Sequence, residues 1–400
     1  MLRFHARTDV GLKRKHNEDS LLAAEEYGVF VVADGVGGRK AGELASAITV
    51  NTFQSYAPQL KAALDAYAGD QRRETRNAVL QLLDQAANAA SRRVYEAATA
   101  TGRQGMTTTL VAGCVGGGGA FLVHVGDSRA YLVRNGQLRQ LTEDHSMVNE
   151  LIRQGSMTPE EAATSRYRNV ITRAVGLYPN VRTDTLHVEL LDGDRLLLCS
   201  DGLSDLVHPA RIEELMLQAN LTTAVDGLIQ SALDEGGRDN VTVILVEPEA
   251  VLEAEQVAAR AKAMENLFLF EDLPFQARLR VGRIVNELFV SPDEKVVSQG
   301  DIGNTLYVVV QGAVSVVVDG REVTTIEEGA HFGELALVDS EPRSADIIAK
   351  GFGHLLCVER DALREFCMLE PALGNLLLWK LVATLGQRLR STNQQLTRGS

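Results

Sequence analysis

The sequence predicts an α+β chain in two parts: a largely antiparallel sheet region covered by long helices, then a small antiparallel barrel. Three observations carry this. In the first part, short and fully apolar runs recur, and four of them have an aspartate at one end. Residues 43–56 and 75–99 instead space their apolar side chains at a helical period. Beyond residue 285 the pattern becomes many short strands parted by Gly or Asp-Gly turns, which suits a barrel or jelly roll.

Composition sets the outer bounds. A chain of 400 residues, 45% hydrophobic and 23% charged, has the balance of a globular protein of two or three domains. Its net charge of −13 argues against a nucleic-acid partner, and basic patches such as Arg72-Arg73 and residues 388–390 read as solvated helix faces. Cys114, Cys199, Cys357 and Cys367 show no CxxC spacing and read as buried reduced thiols, which fits a cytoplasmic protein. The first residues have no apolar h-region and no apolar stretch spans a bilayer, so neither export nor a membrane partner is expected.

Taken in order, residues 4–10 form a first strand, and 12–19 a polar turn into a second. The apolar run 29–33 ends in Asp34 and glycines, a buried strand delivering a carboxylate to a loop. In the second helical stretch Val79, Leu82, Leu83, Ala86, Ala90 and Val94 share one face. Residues 107–115 and 120–125 form a hairpin across four glycines, and Asn135-Gly136 marks another between 130–133 and 137–141. Residues 146–173 are polar and irregular, with a helix start at Thr158-Pro159-Glu160-Glu161, and read as a mobile flap. A strand at 188–198, helices at 210–218 and 222–235 and a strand at 241–246 complete a domain over 1–247. Residues 248–266 read as a connecting helix, continuing to about 279 with a break at Pro274. In the second domain, 267–400, strands are expected at 285–290, 295–298, 306–311, 313–319, 322–326, 344–350 and 354–359. A helix over 372–390 ends it and offers a face for a homodimer, with Trp379 as core or dimer contact.

The recurring aspartates define the chemistry. Asp34, Asp127, Asp201 and Asp239 all stand at strand ends, so a sheet that gathers those ends clusters negative charge that repels itself unless cations hold it. Oxygen ligands without His or Cys at metal spacing imply Mg²⁺ or Mn²⁺. Two such ions, bridged by Asp34 with Asp201 and Asp239 completing one site, would activate water against a phosphate ester. Arg14, four residues before the acidic pair Glu18-Asp19, is the natural fork for the phosphate oxygens.

The segments GLKRKHNEDS, VADGVGG, GMTTTLVAG, VGDSRAYL, LTEDHS, LLCSDGL and GGRDNVTVIL occur in the order found in metal-dependent protein phosphatases of the 2C type, bacterial branch. This resemblance covers about 4–247. It implies an α-β-β-α sandwich with a two-metal site between sheets, acting on phosphoserine and phosphothreonine in proteins. It also implies Asp34 as bridging ligand, the Gly35 carbonyl, Asp201 and Asp239 as ligands, Glu18 as a ligand through water and Asp127 at a weaker third metal. Arg14 matches the phosphate-binding arginine, and Asp19 takes a supporting role behind the ligands. Animal members carry a histidine two residues after the bridging aspartate, whereas this chain has Val36, which donates no proton. His145 is the one tempting substitute, although a histidine in such a turn is more often structural.

In the second half, FGELALVDSEPRSA (332–345) places a glycine, a carboxylate and small residues ahead of an arginine, a pattern suited to cradling a sugar phosphate. It resembles the phosphate-binding cassette of cyclic nucleotide-binding domains, over about 267–389. That implies Glu334 on the ribose 2′-hydroxyl, with the amides of Gly333, Leu335 and Ala336 and the side chains of Arg343 and Ser344 on the cyclic phosphate of cAMP or cGMP. The bland alternative is a Glu334–Arg343 ion pair that staples a barrel without ligand. No helix-turn-helix follows Leu389, so the expected output of the nucleotide is regulation of the phosphatase. A constitutive phosphatase with a docking or dimerising barrel, and a non-catalytic nucleotide-sensing scaffold, are the other two readings of the same residues.

Overall fold

Strand β3 (Val29–Val36) is fully buried at its first five positions because both of its faces are covered. Side chains alternate along a strand. Val29, Val31 and Ala33 accordingly join a core with helices α1 (Ala41–Asp70) and α2 (Arg73–Thr101), while Phe30 between them meets Phe4 of another sheet with ring centroids 5.5 Å apart. A two-sided core explains why the run has no polar residue.

The computed structural model describes residues 2–36, 41–103, 105–168, 170–248, 267–270 and 272–398. The chain divides into two units, Met1–Leu252 and Glu253–Ser400. In the first, β2 (Asp19–Ala24), β3, β5 (Leu110–Gly116), β6 (Gly119–Val125) and β9 (Asp184–Glu189) follow one another across a sheet, with β4 (Thr107–Thr108) pairing β3 off that path. The second sheet runs β1 (Arg3–Asp9), β11 (Val241–Glu247), β10 (Arg195–Cys199), β7 (Arg129–Arg134) and β8 (Gln137–Gln140). Every pairing is antiparallel. The sheets pack face to face, α1 and α2 cover the first, and α6 (Pro209–Met216) and α7 (Leu221–Asp234) cover the second. This is the α-β-β-α sandwich.

Both expected hairpins form. Asn135 (φ +51°) and Gly136 (φ +75°) make the left-handed pair that matches strand twist. The first helix, expected to end at 56, runs to Asp70 straight through Pro58. Burial of Ala57, Leu60, Leu64 and Tyr67 against the sheet outweighs the hydrogen bond that the proline removes. In the flap, α3 (Met147–Arg153) is capped by Ser146 and α4 (Pro159–Thr164) by a full capping box of Thr158 and Glu161.

In the second unit, two four-stranded antiparallel sheets form the jelly roll. One runs β12 (Val285–Val290), β19 (Gly353–Glu359), β14 (Thr305–Gln311), β17 (His331–Phe332); the other runs β13 (Lys295–Val297), β18 (Asp346–Ala349), β15 (Ala313–Val318), β16 (Arg321–Glu327). The strand expected over 344–350 is shorter because Ser344 and Ala345 leave the ladder to line a cavity. Helix α8 (Phe275–Val281) begins only after Pro274, and residues 267–270 ahead of it form turns. Helices α9 (Arg360–Leu369), one of the C-terminal helices expected without bounds, and α10 (Pro371–Arg398) pack with α8 on the barrel through Ala277, Val281, Leu363, Phe366, Leu377 and Leu381. Trp379 is 67% exposed, so it is not core. The connecting helix expected over 249–266 lies outside the described residues. All four cysteines are free, and no helix among the described residues is long and apolar enough to cross a membrane.

Pro58 sits on the exposed side of α1. A helix-interior proline costs about 3 kcal/mol, against roughly 1 kcal/mol gained by stiffening the unfolded chain. Pro58→Ala is therefore expected to raise Tm by a few degrees in thermal unfolding; a lower Tm would show that the helix is built around the proline.

Candidate active site and ligand cavity

The acidic side chains of the first unit meet at one end of the sandwich because their strands do. Asp19 opens β2 and pairs directly across from Asp34 on β3. Asp201 begins the one-turn helix α5 (Asp201–Ser204) after β10, Asp239 precedes β11, and Asp127 lies in the turn between β6 and β7, which passes from one sheet to the other. Close backbone packing enforces this. A Cβ on Gly202 would stand 2.0 Å from the Asn240 carbonyl, so Asp201-Gly202 and Asp239-Asn240 can approach only with glycine there. Likewise a Cβ on Gly42, at the start of α1, would stand 2.6 Å from the Gly35 carbonyl.

Crowding shows in the electrostatics. Burial first, then the charges of Asp19 and Asp201, raise the pKa of Asp34 well above the ordinary carboxylate range. Asp201 is raised by burial and by Asp127 and Asp205. Asp127 is pushed up to about 6 by burial, Asp144 and Asp205, and Asp19 to about 6, chiefly by burial. Asp201 Oδ1 and Asp19 Oδ1 are buried without a hydrogen-bond partner. Oxygen-only donors, mutual repulsion and two orphaned oxygens are what a hard divalent cation relieves.

Among the described residues, however, no three His, Cys, Asp or Glu side chains stand as a ready cage. Asp239 is turned aside: its Oδ2 accepts from Arg14 at 2.6 Å and its Oδ1 from the Asn240 amide at 2.8 Å. The hydrogen bond to Asp239 raises the Arg14 pKa further. Glu18 is half-buried nearby, and its carbonyl accepts from the Gly35 amide at 3.2 Å. Val36 is 42% exposed. His145 is buried on a backbone amide and an aspartate.

Sequence reasoning missed the residues that hold these acids. Asp19 Oδ2 accepts from Ser200 Oγ (2.9 Å) and Thr242 Oγ1 (2.6 Å), both from the opposite sheet side, which clamps the sheets together at the acid. Asn240 donates to the carbonyls of Val10 and His16 and accepts from the Glu18 amide, bracing the loop that carries Arg14. Thr109 Oγ1 accepts from the Asp34 amide at 3.1 Å, and Thr108 Oγ1 donates to the Asp34 carbonyl at 2.7 Å. These hydroxyls stood inside the quoted motifs without a signal that separates them from ordinary strand residues.

In the second unit the one-turn 3₁₀ helix Glu334–Leu337 follows Gly333, whose φ of +80° turns the chain into it. It lines a cavity of about 720 Å³ with Arg343, Ser344, Phe332, Ile326 and Arg388. Glu334, with a side chain only 2% exposed, is ion-paired with Arg388 of α10, and its Oε2 has no hydrogen-bond partner. Arg343 donates instead to the Thr305 carbonyl at 2.8 Å and lies over the Tyr307 ring. The alternative of a Glu334–Arg343 staple is therefore not the pair that forms, and Arg388 is not merely a solvated cation: the helix brings it back over the cavity.

A model of the protein phosphatase 2C family matches residues 13–240, and one of the cyclic nucleotide-binding domain matches 287–370. The chain is 38% identical over 245 residues to the serine/threonine phosphatase stp of Listeria innocua, covering 60% of this chain and 94% of that protein. The crystal structure of the Mycobacterium tuberculosis serine/threonine phosphatase PstP/Ppp matches with TM-score 0.55 and 37% identity over 62% of this chain and 99% of that one. The PstP catalytic domain in complex with two manganese ions matches with TM-score 0.52 and 38% identity over 62% and 97%. A two-sheet sandwich with acids gathered at its seam is thus, in this chain, the fold of a serine/threonine protein phosphatase. The chain belongs to the protein phosphatase 2C family, and its second unit is a cyclic nucleotide-binding domain.

The raised acids set a pH dependence. A carboxyl whose folded pKa exceeds its unfolded value stabilises the fold below about pH 4 and loses that contribution as pH climbs through about 6 for Asp19 and Asp127. A divalent cation held by these acids would relieve the repulsion, so the Tm difference between protein with and without added Mn²⁺ should widen by roughly 5–10 °C from pH 4 to pH 7. A pH-independent difference in calorimetry would contradict this.

Proposed function

We propose that the first unit hydrolyses phosphoserine and phosphothreonine in proteins with two Mn²⁺ or Mg²⁺ ions. Asp34 would bridge them, the Gly35 carbonyl, Asp201 and Asp239 would complete the sites, Glu18 would act through water, and Asp127 would hold a weaker third ion. The convergence of Asp34, Asp201, Asp127 and Asp19 on one end of the sandwich, with raised pKa values and orphaned oxygens, carries this reading. When bound, such ions supply an activated water and charge neutralisation of the phosphate. Arg14, exposed at the rim, presents its guanidinium to the phosphate oxygens in place of Asp239. Asp19, held by Ser200 and Thr242, keeps β2 and β3 at the depth the acids need. In the balanced reaction one water would give its oxygen to phosphorus and release a proton to solvent, while the bond to the seryl or threonyl oxygen breaks and that oxygen takes up a proton from solvent, since Val36 has none to give.

Asp34→Asn is expected to lower phosphopeptide turnover at least 100-fold while raising the Tm of metal-free protein, because it removes a repelling charge. Unchanged turnover would overturn the bridging role of Asp34, and absence of turnover by the parent protein would favour the scaffold reading.

The second unit is proposed to bind a cyclic nucleotide, cAMP or cGMP, that regulates the phosphatase. Glu334 Oε2, buried and without a hydrogen bond, suits the ribose 2′-hydroxyl; the amides of Gly333, Leu335 and Ala336 and the side chains of Arg343 and Ser344 would take the cyclic phosphate. Burial keeps the Arg343 pKa below its usual value, so an anion there is favourable. The exposed face of α10 formed by Leu378, Trp379, Val382 and Leu389 is where a second copy would pair. Four free thiols support a cytoplasmic setting.

Arg388 competes with the ribose for Glu334, so Arg388→Ala is expected to tighten nucleotide binding several-fold by calorimetry. In the intact protein, hydrolysis of p-nitrophenyl phosphate in Mn²⁺ is expected to change on adding cAMP or cGMP. Equal rates despite measured binding would leave the barrel a docking or dimerising module.

A further inference from the structure

We infer that His145 is a positioning residue that locks the turn carrying Asp127 to both ends of the flap. This rests on the reading of Asp127 as a ligand of the weaker ion. His145 takes both backbone groups of Gly126: the Gly126 amide donates to the ring Nδ1 at 3.1 Å, and the His145 amide donates to the Gly126 carbonyl at 2.7 Å. With Nδ1 accepting, the ring proton sits on Nε2, 3.2 Å from Asp184 Oδ2. Arg173 Nη1 donates to the other Asp184 oxygen at 2.9 Å; lying 3.1 Å from Nε2 and having no lone pair to offer, it shares Asp184 with the histidine.

The flap is fastened at the same residue. The His145 carbonyl accepts from the Thr172 amide at 2.7 Å, and Ser146 pairs with Ile171 in an isolated bridge, so the start and the end of the flap meet there. Ser128, on the far side of Asp127, is held by Thr109 Oγ1 at 2.6 Å, and Thr109 in turn accepts from the Asp34 amide. Asp127 is thus pinned between a residue that answers to the flap and one that answers to Asp34. The imidazole, 5% exposed with both nitrogens engaged and the His124 ring 4.6 Å away, is a brace rather than a proton donor. A flap that shifts to admit a phosphopeptide therefore moves Asp127, and an ion on Asp127 stiffens the flap.

The test uses the whole chain, Mn²⁺ calorimetry and hydrogen exchange over 147–172, with His145→Asn and His145→Gln. Asn puts an oxygen where Nδ1 accepts, whereas Gln reaches only the Nε2 position. His145→Asn is expected to keep the weakest Mn²⁺ affinity near that of the parent. His145→Gln should weaken it about tenfold, the lower end for a residue supporting a ligand, leave the tighter sites unchanged and speed flap exchange. Equal Mn²⁺ binding by both variants and the parent, or an Asn variant as weak as the Gln variant, overturns the inference. Asp127→Asn separates the two claims: if it leaves the weakest site intact, the ligand reading fails, and flap exchange alone decides, unchanged exchange in His145→Gln overturning the lock.

Discussion

Like charge brought together against its own repulsion is the constraint on which the first unit depends. Two sheets that could have packed with any apolar faces are instead docked so that Asp19, Asp34, Asp127, Asp201 and Asp239 share one end, and the energetic burden appears as raised carboxyl pKa values. Packing elsewhere offsets that burden. The fully buried strands, the two long helices and hydroxyls from Ser200, Thr242, Thr108 and Thr109 hold the acids in place before any ion is bound. The backbones of the acids are thus fixed, while the Asp239 side chain still faces Arg14 and the carboxylates do not yet form a cage.

Much of this was readable in the chain because the signals were local. An apolar run that stops at an acid announces a strand end, Asn135-Gly136 announces a turn, and the order of seven segments announces the family. What escaped notice was whatever a tertiary contact decides. The helical stretch expected over 43–56 runs on through Pro58, because the buried face of α1 carries the helix past it. At Gly42 and Gly202 only the backbones packed against them show why no side chain fits. Asn240 lies just ahead of the strand expected at 241–246, and only the fold shows its amide spanning three backbone groups of the Arg14 loop.

In the second unit Gly333, Glu334, Leu335, Ala336, Arg343 and Ser344 stood out in the sequence, and all of them line the cavity, Glu334, Leu335 and Ala336 on a 3₁₀ turn. Their partner did not stand out. Arg388 lies 54 positions from Glu334 in the numbering, on a helix face that reads as solvated, and nothing short of the fold joins them. A charged residue on the last helix thereby belongs to the same electrostatic unit as the buried carboxylate.

Val36 has a chemical corollary. On the proposed mechanism this position lends no proton to the departing oxygen, and the ease of bond cleavage would follow how well that oxygen carries negative charge by itself. Phenolate is a good leaving group and an alkoxide a poor one. Chromogenic aryl esters thus flatter such an enzyme, and its speed on serine and threonine side chains is governed instead by how firmly their alkoxide character is compensated at the seam between the sheets.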